Sequence, residues 1–305
     1  MKHSFRAIFL FTCLLPLCQV VSADASFILI ENKSSPAPKA YTLFSQHLLK
    51  ILPTIEVVDI SGLSQMPTVE PTIIIAQGTR TCGDVIAKVQ DSAKILCLFI
   101  SKHEFQQLIS DANSTSGRFH ALVIDQPLER YLRLIRRLNP KAASIGIIYS
   151  PRFRHYVDDL THANKTFRFK IHPVHAEDDN AIGSALFNLG SNVEFLLSLP
   201  DPVIYNRYTA RNILLTSFRS KIPVISFSDS YVRAGASAAV YTSPEQFSEQ
   251  AKDILNSLAS GLATPPVVHP SNYTVSINER VAFHLGLQSV DPALIELDTP
   301  EVDQP

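Results

Sequence analysis

The chain has 305 residues, a formal net charge of −1 and four cysteines. That near-neutral balance gives no reason to expect nucleic acid as a partner. After the first 23 residues no stretch is long and apolar enough to span a bilayer, so the body of the chain reads as soluble, with room for two lobes of ordinary domain size.

The first residues carry a compartment signal. Lys2, His3 and Arg6 precede the apolar run Ala7 to Leu17, which ends near Val21-Ser22-Ala23. This is the plan of a cleavable secretory signal over residues 1–23, with cleavage between Ala23 and Asp24 and a periplasmic or otherwise exported product. An uncleaved anchor is the alternative. Cys18 does not suit a lipid-bearing first residue, because Leu17 stands where a small residue is needed. Cys13 and Cys18 leave with the signal. Cys82 and Cys97 then remain in an oxidising compartment, either as a disulfide or as two isolated buried thiols.

The mature sequence alternates between short apolar runs and helical patterns. Residues 26–31 (SFILIE), 55–60 (IEVVDI), 73–77 (IIIAQ) and 95–100 (ILCLFI) are predicted strands, and Leu43, His47, Leu48 and Ile51 fall at helical spacing between the first two. Near-continuous apolar strands alternating with helices imply an open parallel sheet covered on both faces. The pattern then restarts with a strand at 121–124 and a helix begun by Asp125-Gln126-Pro127. Leu128, Leu132, Ile135 and Leu138 share one face of that helix. Arg130, Arg133, Arg136 and Arg137 read as its solvated side, with phosphate or a partner as the alternative. Strands at 144–149, 169–174, 193–199, 222–227 and 236–241, with helices at 156–165 and 208–218, complete a second unit of similar size. Ser243-Pro244-Glu245-Gln246 opens a third piece as a capping box, and Gly261 is placed to end its helix. A proline-rich extended segment at 262–270, a strand at 273–277 and a short helix at 278–285 follow. The acidic, proline-containing end at 291–305 reads as a flexible tail.

Several chemistries find no support. The sequence contains no P-loop, no G-x-G-x-x-G and no G-x-S-x-G, so an ATPase, an ordinary dinucleotide-dependent dehydrogenase and a common serine hydrolase all lose ground, and no cofactor is expected. His172-x-x-His175 falls on a strand, where residues three apart face opposite sides, so a metal reading is weak. Tyr205, Tyr208 and Tyr231 suit packing better than ligand stacking. In open α/β sheets ligands bind beyond the carboxyl ends of the strands. Those ends supply Asn32, Gln77, Gly78, Thr79, Arg80, Asp125, Tyr149, Asp201, Ser226 and Asp229 as candidate ligand-binding residues. Gly78-Thr79 before a helix offers backbone N–H groups and a hydroxyl to a carboxylate, and Arg80 a bidentate contact. Asp201 is placed to accept a ligand ammonium, although it and Thr79 suit helix caps equally well.

At these residues the sequence resembles the ABC-transporter substrate-binding proteins of the tryptophan/tyrosine-binding type, within the type I periplasmic binding protein fold. The resembling segments are 128–149 (LERYLRLIRRLNPKAASIGIIY), 221–241 (KIPVISFSDSYVRAGASAAVY) and 275–287 (VSINERVAFHLGL). Gln77-Gly78-Thr79 is similar to that family's G-T loop, and Asp201 to an acidic residue after a second-lobe strand. The first loop, residues 31–36, and the stretch 101–119 depart from the family pattern.

The resemblance implies two Rossmann-like α/β lobes with open parallel sheets, joined by three crossovers near Asp125, near Thr242 and at 269–271. The first lobe would hold residues 24–125 plus 243–268, and the second 126–241 plus 271–290. The implied function is a monomeric, extracytoplasmic solute-binding protein that closes on a small, amino-acid-like ligand and delivers it to the membrane permease of an ABC importer. A binding module of the same fold that signals to a membrane sensor or kinase is the alternative. An enzyme ranks last, because no pair of titratable residues stands out for a cleft.

Overall fold

The computed structural model describes residues 25–32, 38–65, 72–89, 93–112 and 117–293. The expected signal and most of the expected tail lie outside the described residues. The first run of elements is β1 (Ser26–Glu31), α1 (Lys39–Ile51), β2 (Ile55–Asp59), β3 (Thr72–Gln77), α2 (Gly78–Lys88), β4 (Lys94–Ile100), α3 (Lys102–Asp111) and β5 (Phe119–Val123). A second run comprises α4 (Leu128–Leu138), β6 (Ser144–Tyr149), α5 (His155–Ala163), β7 (Lys170–His175), α6 (Ile182–Leu189) and β8 (Phe195–Leu197). It continues through α7 (Ala210–Arg219), β9 (Val224–Ser226), α8 (Asp229–Ala234) and β10 (Ala238–Tyr241). The chain ends through α9 (Pro244–Ala259), β11 (Val267–Val268), β12 (Thr274–Ile277) and α10 (Glu279–His284).

Two sheets result, with strand orders β11-β5-β4-β3-β1-β2 and β12-β10-β9-β8-β6-β7. Strand pairing is parallel throughout except between β10 and β12. Strands β3 and β5 are buried at every position because helices cover both faces, which is why their sequences lack polar alternation. The edge strand β7 buries none of its side chains fully and tolerates Pro173. Each sheet has an apolar cluster on either face. Phe44, Leu48, Phe247 and Leu255 cover one side of the first sheet, and Cys82, Val85 and Phe105 the other.

The chain passes from one sheet to the other three times: between β5 and β6, between β10 and β11, and between β11 and β12. The two-lobed α/β architecture expected from the sequence is therefore the one that forms. The capping box is also present. Ser243 Oγ accepts from Gln246 N at 3.2 Å, and Gln246 Oε1 accepts from Ser243 N at 2.9 Å. This starts α9 so that Phe247 and Leu255 return to the first lobe.

Several elements were not anticipated. Strand β11 has only two residues and sits inside the segment read as merely extended. Helices α3, α6 and α8 were not anticipated either, although α6 buries Ile182, Ala185, Leu186 and Leu189 at helical spacing. The arginines of α4 also correct the sequence reading, because Arg130 is buried and Arg136 is engaged. Arg136 Nη1 donates to Pro140 O and Ala142 O, and its Nη2 to Phe167 O.

Candidate functional site

The first-lobe wall is built where β3 meets α2. Gly78 opens the helix at φ +81°, a region that side chains with a Cβ avoid. A Cβ there would lie 2.8 Å from Tyr41 Oη. The N-cap residue Gln77 makes no capping bond and instead donates from Nε2 to Ser45 Oγ at 2.7 Å. The first amides of α2 are thus left without a side-chain cap, at the positive end of the helix. They border a cavity of about 780 Å³ lined by Glu31, Asn32, Tyr41, Gln77, Gly78, Thr79 and Arg80, among others. Five candidates named from the sequence, Asn32, Gln77, Gly78, Thr79 and Arg80, therefore meet at one concavity.

Sequence reasoning missed Tyr41. Its ring stacks on Phe99 at 4.6 Å, and Phe99 in turn contacts Phe247 at 4.7 Å and Phe44 at 5.2 Å. Phe99 sits at φ +54° where β4 shifts register between Leu98 and Ile100. The irregularity turns an aromatic side chain toward α1, and the position of Tyr41 in the first turn of α1 was the only available signal. Beneath this wall, Cys82 and Cys97 are free, fully buried thiols that lie side by side. Burial, then the neighbouring Cys82, holds the Cys97 thiol well above its ordinary pKa.

The second-lobe candidates are placed differently. Asp201 is 1 % exposed, and its carboxylate accepts from the backbone N–H groups of Ser150 at 2.7 Å, Val203 at 3.0 Å and Ile204 at 3.4 Å. It faces inward and joins the loop after β6 to the loop after β8. No helix starts at Asp201, and its hydrogen bonds to Val203 and Ile204 close a turn. Asp229 pairs with Arg233 and accepts from Ser276 Oγ at 3.1 Å. Ser226 is fully buried and Tyr149 nearly so. These four residues line neither of the two cavities described here. The half-buried Phe227 stands between Tyr205 and Tyr231 and gives this wall an aromatic centre.

Asp125 lies at the first crossover. Its Oδ2 accepts from Lys102 N at 2.7 Å and its Oδ1 from Tyr156 OH at 3.3 Å, while its backbone carbonyl lies 2.9 Å from His269 Nδ1. It borders a second cavity of about 470 Å³ with contributions from both lobes, including Lys102, His103, His155 and Tyr156. Burial raises the Asp125 pKa, opposed by the Lys102 amide.

On this flank the lobes touch. The His103 and His155 rings stack at 4.1 Å, and Arg152 lies 3.8 Å from Glu104. Burial, then the facing His103, lowers the His155 pKa, while Asp159 and Asp201 oppose the shift. The folded chain therefore resists protonating His155. Burial of neutral His155 against His103 contributes fully above the ordinary imidazole value of 6.5, and that contribution is progressively lost as pH falls below it. Interlobe separation measured by fluorescence energy transfer should increase on acidification, and His155→Gln should flatten that dependence. Separation is the informative readout, because the buried His120 shifts in the same direction and contributes to global acid unfolding.

A two-lobed α/β structure with a concavity at the carboxyl ends of its strands defines a binding protein of the periplasmic type. Residues 56–298 match the family of ABC transporter substrate binding proteins, and the chain belongs to that family. Its members are extracytoplasmic binding proteins. Among the described residues no helix is long and apolar enough to cross a membrane. The fold is similar to the ligand-free, open structure of a substrate binding protein with adhesive properties from Clostridium difficile (18% identity, 88% of this chain and 96% of that one, TM-score 0.67). It is also similar to the ABC domain in complex with L-Trp from Streptococcus pneumonia (17% identity, 90% and 98%, TM-score 0.61). A periplasmic solute binding protein from Actinobacillus succinogenes with bound D-allose matches more loosely (11% identity, 85% and 99%, TM-score 0.53). No curated protein matches the chain.

Proposed function

We propose that this substrate-binding protein takes a small carboxylate-bearing solute of amino-acid size into the cleft between its lobes and presents it to the permease of an ABC importer. The observation that carries this reading is the start of α2, where amides without a side-chain cap, Thr79 and Arg80 border the same cavity as Tyr41. A carboxylate suits the positive helix end and the guanidinium, and a flat or apolar body suits the tyrosine ring. The neighbour that holds L-Trp has the same fold. In the mature form, the protein would start at Asp24 and act as a monomer outside the cytoplasm. Its first lobe would comprise residues 24–125 with 243–268, and its second 126–241 with 271–290.

A thermal-shift screen against amino acids, small organic acids, nucleosides and sugars tests the ligand class. At a hundredfold excess over Kd, a ligand specific to the folded chain adds about 2.7 kcal/mol, which raises Tm by about 5–10 °C for a chain of this size. The expected hit is an aromatic or other amino acid, with the shift reduced by Arg80→Ala and Thr79→Ala. A shift with sugars alone, unaffected by those substitutions, would overturn the carboxylate assignment.

A further inference from the structure

The three crossovers are held together by a relay centred on one side chain, Arg130. Arg130 lies in the first half of α4, just past the first crossover, and is only 5 % exposed. Its Nη1 donates to Gln126 Oε1 at 2.6 Å and to Pro270 O at 2.8 Å, and its Nη2 to Ser271 O at 3.2 Å. The guanidinium carbon lies 4.1 Å from the centre of the Tyr273 ring. Gln126 then passes the connection on. Its Nε2 donates to Thr242 Oγ1 at 2.8 Å, and that hydroxyl donates to Asn272 O at 2.7 Å. Gln250 closes the set from α9, accepting from Ser271 N at 2.9 Å and donating to His269 O at 3.0 Å.

The donors run in one direction, from Arg130 through Gln126 and Thr242 to Asn272. That fixes the orientation of the Gln126 amide and leaves each member one role. Every hydrogen-bond acceptor of the guanidinium is a neutral oxygen, and burial lowers the Arg130 pKa accordingly. A buried cation without a contacting carboxylate is an inefficient way to gain stability. Its geometry is what distinguishes it, because a fork of donors can hold two backbone segments and an amide at fixed angles. No aliphatic side chain of similar size does that.

We infer that Arg130 is the positioning residue of the hinge, coupling the three crossovers so that they move as one and holding the α2 side of the cleft open before ligand arrives. The inference rests on the proposed binding between the lobes. The α2 cavity is lined by first-lobe residues only, so the arrangement that the network holds is one in which the second lobe does not cover it. Loosening the network releases the lobes to sample closure without ligand, which raises the fraction already competent for a closed complex.

The test reads the ligand-free lobe separation, so that it does not depend on the ligand's identity. In the chain from Asp24 onward, which lacks Cys13 and Cys18, spin labels are attached at Gln107→Cys on α3 and Asn212→Cys on α7, both exposed positions, while Cys82 and Cys97 are fully buried. The parent chain should give one narrow distance distribution. Arg130→Met should broaden it and move it to shorter separations, and Arg130→Lys should lie between the two. If Arg130→Met does not fold, Thr242→Val and Gln126→Leu cut the same relay without removing the charged group and should broaden the distribution in the same sense. An unchanged distribution in a folded Arg130→Met protein, or in both relay variants, overturns the inference. A failed ligand screen would leave these distances as they are, so the two readings fail separately.

Discussion

Asp201→Ala should melt about 6–12 °C below the parent chain while leaving ligand selectivity intact. The carboxylate holds two good backbone N–H bonds and one long one in a site that is 1 % exposed. Hydrogen bonds to a charged group contribute about 1.5–3 kcal/mol each, and a buried donor left without a partner carries its own desolvation cost. Taking about 3 kcal/mol in all, and about 2–4 °C per kcal/mol for a chain of this size, gives the stated shift. Asp201→Asn retains one acceptor oxygen and should recover about half of it. Scanning calorimetry measures the loss. Unchanged melting with abolished ligand binding would show that the carboxylate faces solute instead of the loop after β6.

Gly78→Val should reduce ligand affinity at least a hundredfold in a protein that still folds. Two effects combine at this position. The backbone sits at φ +81°, where a β-branched residue is strained by about 1–3 kcal/mol. An added Cβ also falls 2.8 Å from Tyr41 Oη and 3.2 Å from Tyr41 Cε2. The steric conflict is with the far end of a side chain, so the ring moves and the fold survives. Relieving it, however, displaces Tyr41 from the cavity and tilts the first turn of α2, the two features that the ligand reading depends on. Tyr41→Ala combined with Gly78→Ala should therefore regain part of the lost stability without regaining affinity. Calorimetric titration with the ligand found in the screen is the direct measurement. A Gly78→Val protein that binds like the parent chain would place the solute elsewhere.

The fold was legible wherever burial alone determines structure. The spans of β1 and β6 agree with their apolar runs residue for residue, because a strand covered on both faces needs no other signal. The capping box at Ser243 was legible because its two hydrogen bonds involve residues three apart. Orientation over long separations was not. Asp201 turns inward because its partner Ser150 lies 51 positions earlier, and no local pattern carries that information. Arg130 resembled its exposed neighbour Arg137 on the helical wheel, yet its acceptors at 270 and 271 are 140 and 141 positions away. Phe187 is an apolar residue within an apolar stretch of α6, yet it stands 84 % exposed. On the first-lobe side five of the candidates meet at one cavity because helix starts and strand ends are local features.

The return of α9 and β11 to the first sheet, followed by the antiparallel docking of β12 on the second, has a consequence for chain synthesis. A nascent chain that has emerged only as far as residue 243 lacks Phe247, Ala251 and Leu255, which cover one face of the first sheet, and it lacks an edge strand of each sheet. Neither half can reach its final packing in the order in which it is made. The contacts that complete the first half span more than 100 residues, as between Ala121 and Val267, and such long-range pairing is slow to form. A polypeptide built this way stays incompletely folded until the segment that carries α9, β11 and β12 has been made.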